Sequence, residues 1–179
     1  MNVNQYFDLK RRVIEAGYAA EIDWAHDIKP CPNALEFWRE FSWVVICSGM
    51  KAQIARQIWD RVQPEVESGG SARAKFGHKG KAAAIDRIWR EKEALFNAYA
   101  VSLERLDFLE TLPWIGPITK FHLAKNLGIN VPKPDRHLER IAGSIEAVEP
   151  LCRRLAALTG DRITEVDTVI WRAANLGFI

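Results

Sequence analysis

The 179-residue sequence predicts an all-α protein of about eight to ten helices. Apolar residues recur at spacings of three and four almost throughout, the mark of amphipathic helices. No stretch reads as a convincing strand, and Gly, Pro and helix-cap residues punctuate the periodic runs.

Taken in order, residues 3–18 form a first helix with Tyr6, Leu9, Val13 and Ile14 on one side, ending near Gly17. Glu21 to Pro32 is irregular. Asn33 is placed to cap a strongly apolar helix through Phe37, Trp38, Phe41, Val44, Val45 and Ile46, which the low number of polar interruptions assigns to the core. Ser48-Gly49-Met50-Lys51 breaks it. A further helix from about Lys51 to Val62 buries Ile54, Ile58 and Trp59, and Gln63 to Lys79 is a loop. Helical pattern resumes from Gly80 to about Tyr99 and again from Ser102. Later helices are expected from Asp135 to Ala142 and from about Glu146 to Leu158. The last is capped by Thr164 with Asp167 as its capping-box partner.

The composition is that of an ordinary soluble chain, 48% apolar and 27% charged. A net charge of +2 excludes a histone-like polycation, so any polyanion must be met by local charge. No apolar run nears the roughly 20 residues that span a bilayer, which argues against a membrane partner. The first residues lack a basic and an apolar leader region, and a cytoplasmic monomer is expected. Cys31, Cys47 and Cys152 are scattered and lack CxxC spacing, which argues against a disulfide framework or zinc site. The length suits one compact unit over 1–179, built as one domain or as two small lobes sharing a cleft.

Thr111 to Ile141 is the most informative stretch. Leu112-Pro113-Trp114-Ile115-Gly116 reads as a tight turn between two helices, with Pro117 suited to the first turn of the second. Pro132-Lys133-Pro134 then forces extended backbone into Asp135, which Arg136 and His137 follow. Hairpin, distance and local sequence together resemble the helix-hairpin-helix, Gly/Pro-Asp superfamily of base-excision DNA glycosylases. The specific likeness covers 109–142, with weaker likeness over 36–62 and 75–90. It implies a helical bundle in two lobes around a DNA cleft, with the helix-hairpin-helix at about 102–127 and the catalytic loop at about 128–136.

The resemblance makes Asp135 the catalytic residue. A carboxylate near the anomeric carbon stabilises the oxocarbenium-like transition state and orients water. The plain alternative is that Asp135 only caps its helix, and the two roles are compatible. Trp114, Gly116 and Ile118 in the hairpin would face DNA, with Lys120, His137 and Arg140 contacting the backbone. Trp114 stands where family members more often have Gly. The basic loop 71–81 adds Lys75, Lys79 and Lys81 as phosphate contacts, and Phe76 either packs or approaches the nucleic acid. Gly49, Met50 and Lys51 occupy the place of the family's minor-groove wedge. Trp24, Trp38 and Trp43 are candidates for a stacking pocket around the flipped base, though core packing competes for each.

Two departures narrow the reading. Lyase members carry a Schiff-base lysine where this chain has Ile118, and Lys120 is the weaker substitute, about 200° around the helix. Cys152 stands alone near the C-terminus, so the four-cysteine iron–sulfur cluster of some members is not expected. The implied activity is a monofunctional glycosylase on double-stranded DNA carrying a damaged or modified base. No cofactor or metal is required, although the hairpin could hold a monovalent cation. The competing readings are a non-catalytic damage-sensing module, a glycosylase/lyase using Lys120, and a helical protein unrelated to DNA.

Overall fold

A computed structural model describes residues 1–179. The helices are α1 (Val3–Val13), α2 (Ala19–Asp27), α3 (Ala34–Cys47), α4 (Ala52–Glu67), α5 (Lys79–Val101), α6 (Arg105–Glu110), α7 (Thr119–Asn126), α8 (Arg136–Ala142), α9 (Ile145–Thr159) and α10 (Ile163–Asn175). No strand is formed, and none of the helices is long and apolar enough to cross a membrane. The chain divides into two compact units, Cys31–Leu127 and the pair of segments Met1–Pro30 with Gly128–Ile179.

The unit made from the two chain ends is built on α10, buried at every position from Ile163 to Ile170. Tyr6, Leu9 and Val13 of α1, Ile22 of α2, Leu138 of α8 and Val148, Cys152 and Leu155 of α9 pack with Val166, Val169, Ile170 and Ala173. Each buried Val, Leu or Ile among them contributes about 1.5–3 kcal/mol. α1 stops at Val13, and a π-helical turn over Ile14–Tyr18 bends the chain at Gly17, whose φ of +92° suits glycine. Ile14 is left out toward solvent, and α2 starts at Ala19 and runs into the segment expected to be irregular. Its first part, to Asp27, is helical because Ile22 and Ala25 are buried, a tertiary gain that outweighs weak local preference, while residues 28–32 are irregular as expected.

Polar contacts fix this unit as well. Lys10 Nζ donates to Asp161 (2.8 Å) and Glu165 (2.6 Å), and the Tyr6 hydroxyl donates to Asp161 at 2.6 Å. The expected capping box of α10 does not form. Arg162 occupies the cap position, and the Thr164 hydroxyl instead donates to the Ala25 carbonyl at 3.1 Å.

The central unit is built on α3. Asn33 caps it by accepting from the Glu36 amide at 2.9 Å, and Phe37, Trp38, Phe41, Val44, Val45 and Ile46 are buried against α4, α5 and α7. α4 runs five residues beyond the expected end at Val62 and passes through Pro64. A proline there forfeits only one ladder bond, and Arg39 grips Glu67 near the helix end with two hydrogen bonds of 2.8 and 3.1 Å. Ile54, expected inside, is about half exposed on the outer face of α4.

Candidate functional site

Asp135 is positioned by its own sequence neighbourhood. Pro132 and Pro134 keep the preceding backbone extended, and Asp135 enters α8 as its N-cap. Its Oδ1 accepts from the amides of His137 (2.9 Å) and Leu138 (3.3 Å), which fixes the carboxylate plane. Oδ2 is left facing Lys133 Nζ at 3.8 Å, and the side chain is 14% exposed. A half-committed carboxylate at a helix N-terminus is an anion with one oxygen available for chemistry.

The loop that delivers it is held from behind. The Lys133 amide donates to Asp167 of α10 at 3.0 Å, and Asn130 accepts from the Thr164 amide at 3.1 Å. At the loop's start, Gly128 has φ +86°, and a Cβ there would lie 2.3 Å from the Lys29 carbonyl oxygen. Only glycine allows that approach.

The hairpin belongs to the central unit. α6 ends at Glu110, and the Leu112 and Ile115 amides close short turns onto Leu109 and Leu112 carbonyls, both at 3.2 Å. α7 starts at Thr119, with Pro117 and Ile118 still outside the helix. The Lys120 and Phe121 amides are taken by the Gly116 and Ile118 carbonyls, which leaves the Gly116, Ile118 and Thr119 amides unclaimed by hairpin carbonyls. A Cβ on Gly116 would meet nothing within 4 Å, so the glycine answers no internal packing need and leaves the turn open to solvent.

The strained position is Trp114, which has φ +66° and is the one non-glycine residue in that region. Left-handed backbone costs such a residue about 1–2 kcal/mol. Its ring is half exposed, lies against the backbone of Gly80 and meets the His78 ring edge-on with centroids 5.0 Å apart.

That contact joins the hairpin to the basic loop. Ser71 Oγ and the Ala72 amide bind Asp86 of α5 at 2.6 and 2.7 Å, and Phe76 packs inside. Arg73 and Lys79 are exposed, whereas Lys75 leans on Glu65 at 3.4 Å. Lys81 is corrected from phosphate contact to interior residue. It is buried, and its Nζ donates to the Ser48 carbonyl at 2.5 Å, closing the turn after α3. Burial lowers its pKa. In the same turn Gly49 takes φ +72°, Met50 is partly buried and Lys51 is exposed. The 48–51 turn, the basic loop and the hairpin tip therefore meet around the first turn of α5.

Lys120 is not a free amine. It donates to Glu110 Oε2 at 2.5 Å and lies 3.6 Å from Asp107, and the Glu110 hydrogen bond raises its pKa above the ordinary lysine value. Arg140 is exposed on α8, where its guanidinium reaches the Ile179 carbonyl at 3.0 Å, and His137 is partly buried beside the Asp135 cap.

Of the three pocket tryptophans, Trp38 and Trp43 belong to the central unit and Trp24 to the other. Trp38 is corrected from pocket to core, being fully buried with Trp89 at 4.8 Å and Trp59 at 5.8 Å and donating to the Ile85 carbonyl at 3.2 Å. Trp43, on the same helix, lies under the Arg56 guanidinium at 4.5 Å. Trp24 is exposed on α2. Sequence reasoning passed over Lys133, His78, Gly80 and the Ser48 carbonyl. Of these, only Lys133 carries a local signal, its place two residues before Asp135.

The fold is shared with a DNA glycosylase of known structure. The chain is similar to an 8-oxoguanine glycosylase/lyase from Methanocaldococcus jannaschii, solved in complex with a 15mer DNA containing 8-oxoguanine. The TM-score is 0.64 at 16% identity, over 95% of this chain and 96% of that one. At that identity the likeness is one of fold. No family model matches the sequence, and no curated protein matches it.

Proposed function

We propose that the protein is a DNA glycosylase that hydrolyses the N-glycosidic bond of a damaged or modified base in duplex DNA, without a lyase step. The observation that carries the reading is Asp135, with one carboxylate oxygen locked by two amides and the other left for chemistry, on a fold shared with a glycosylase. As the base departs, positive charge develops on the deoxyribose, and a fixed carboxylate stabilises it and orients the attacking water. The base must first leave the stack, which in this reading falls to the 48–51 turn as wedge while the hairpin amides and exposed Arg73 and Lys79 hold phosphates. A monovalent cation on hairpin carbonyls would brace the turn, and the reaction itself needs no cofactor.

Two features support hydrolysis by water over an imine. Ile118 cannot form one, and Lys120 is held protonated by Glu110. The structural neighbour is a glycosylase/lyase, so the distinction is tested directly. Duplexes carrying a panel of lesions are scored for free base and abasic sites with the wild type and Asp135→Asn. The reading expects release from at least one lesion by the wild type, lost in the variant. Tight duplex binding with no release from any lesion would mean a damage-sensing module instead, and no salt-dependent duplex affinity would remove DNA altogether.

A further inference from the structure

The geometry points to the first turn of α5, His78 to Lys81, as a positioning element that holds the hairpin tip and the 48–51 turn in register for DNA. This rests on the DNA-binding reading above and adds roles that the sequence did not assign. Three independent contacts converge on these four residues. His78 Nδ1 caps α5 by accepting from the Lys81 amide at 3.3 Å, and its ring meets Trp114 edge-on. Gly80 gives the Trp114 ring its seat, since a Cβ there would lie 2.8 Å from Trp114 Cζ2. Lys81 Nζ reaches across to the Ser48 carbonyl and closes the turn that carries Gly49 and Met50.

The chemistry of each contact favours positioning over direct contact with DNA. An ammonium that is buried and already hydrogen-bonded offers a phosphate little, whereas its exposed neighbour Lys79 is suited to one. A tryptophan in left-handed backbone is tolerated when its surroundings over-determine it, and here the ring contacts supply that constraint. Helix α5 runs 23 residues and packs along α3, so its first turn is a rigid base for the two turns.

The test uses the full chain and a duplex carrying a tetrahydrofuran abasic analogue beside 2-aminopurine, which reports local unstacking. Affinity and its salt dependence are read by fluorescence anisotropy, unstacking by 2-aminopurine emission at saturation, and folding by thermal melting. Lys81→Met keeps the aliphatic stem, and because Ser48 is an exposed residue water can replace the ammonium at its carbonyl, so the variant is expected to fold. Gly80→Ala displaces the Trp114 ring, and Trp114→Phe restores part of what Trp114→Gly removes. The expected result is that Lys81→Met, Gly80→Ala and Trp114→Gly lose about tenfold in preference for the abasic duplex over an undamaged one, together with most of the emission change. Their salt slope stays at the wild-type value, whereas Lys79→Gln lowers it by about one and keeps the emission change.

A salt slope lowered by about one in Lys81→Met would make Lys81 a phosphate contact and overturn the proposal. So would unchanged preference and emission in all three variants, which would leave these contacts merely structural. If the wild type shows no salt-dependent duplex binding, the functional reading fails and this one with it. That outcome is distinct from normal wild-type binding with indifferent variants.

Discussion

The Asp135 carboxylate and the Trp114 ring, one in each unit, are held in opposite ways. Asp135 is oriented by the amides of the helix it opens, two and three residues further on. Trp114 is oriented against its own backbone preference by His78 and Gly80, from a different part of the chain. The orientation of the Asp135 carboxylate is thus specified by its immediate neighbours, although the loop that carries it is tied to Asp167, Thr164 and Lys29. The hairpin tip, by contrast, is oriented by tertiary contacts alone. A binding turn set by distant contacts can be moved by changing any of them.

Substitutions sharpen this contrast, beginning with the largest expected effect. Gly128→Ala forces a Cβ into the Lys29 carbonyl at positive φ and should cost about 2–4 kcal/mol in denaturant titration. A smaller loss would mean that the Asp135 loop is free to shift away from α2. Asp135→Ala removes the α8 cap and should cost about 1 kcal/mol, whereas Asp135→Asn, which caps equally well, should stay near wild type. Equal stability of the two variants would break the claim that the cap orients the carboxylate. Trp114→Gly relieves strain while losing the ring contacts, so thermal stability should move by less than about 1 kcal/mol. A larger loss would make the ring a core element rather than a locating contact.

pH separates the units more gently. In the central unit the Arg39 hydrogen bonds hold Glu67 below the ordinary glutamate pKa. Its contribution is therefore present above that ordinary value and lost as pH falls through the lower folded one. In the other unit, burial lowers the Lys10 pKa, but hydrogen bonds to Asp161 and Glu165 raise it by more. That contribution is present below the ordinary lysine value and lost as pH rises through the folded one. Glu67→Gln should flatten the acid limb of a stability–pH profile by about 0.2–1 kcal/mol and leave the alkaline limb alone.

The chain's legibility follows the same division. Asn33 and Asp135 could be read as caps because a cap and the amides it binds lie within three residues. α2 could not, because its helix depends on burial of Ile22 and Ala25 rather than on local preference. The box expected at Thr164 fails for a comparable reason: its hydroxyl is drawn to Ala25 on another helix. For Trp38 the sequence leaves both core and pocket open, and burial decides for the core. Lys81 reads as a surface cation because its basic loop neighbours give no sign of the Ser48 carbonyl that draws it inside. The hairpin and the acid were visible as motifs, and the turn of α5 that organises the hairpin's surroundings was not.

Borohydride trapping bears on the mechanism. Wild-type protein should leave no covalent adduct with abasic DNA. An adduct lost in Lys120→Gln would move the chemistry to the hairpin helix. One lost in Lys133→Gln would move it to the loop beside Asp135.

The central claim is most directly tested by single-turnover base release with Asp135→Asn, measured beside duplex affinity on whichever lesion the wild type processes. Because asparagine keeps the cap and removes the charge, the rate should fall about 10²–10⁴-fold with affinity nearly unchanged. Release at the wild-type rate by the variant would contradict the assignment of Asp135.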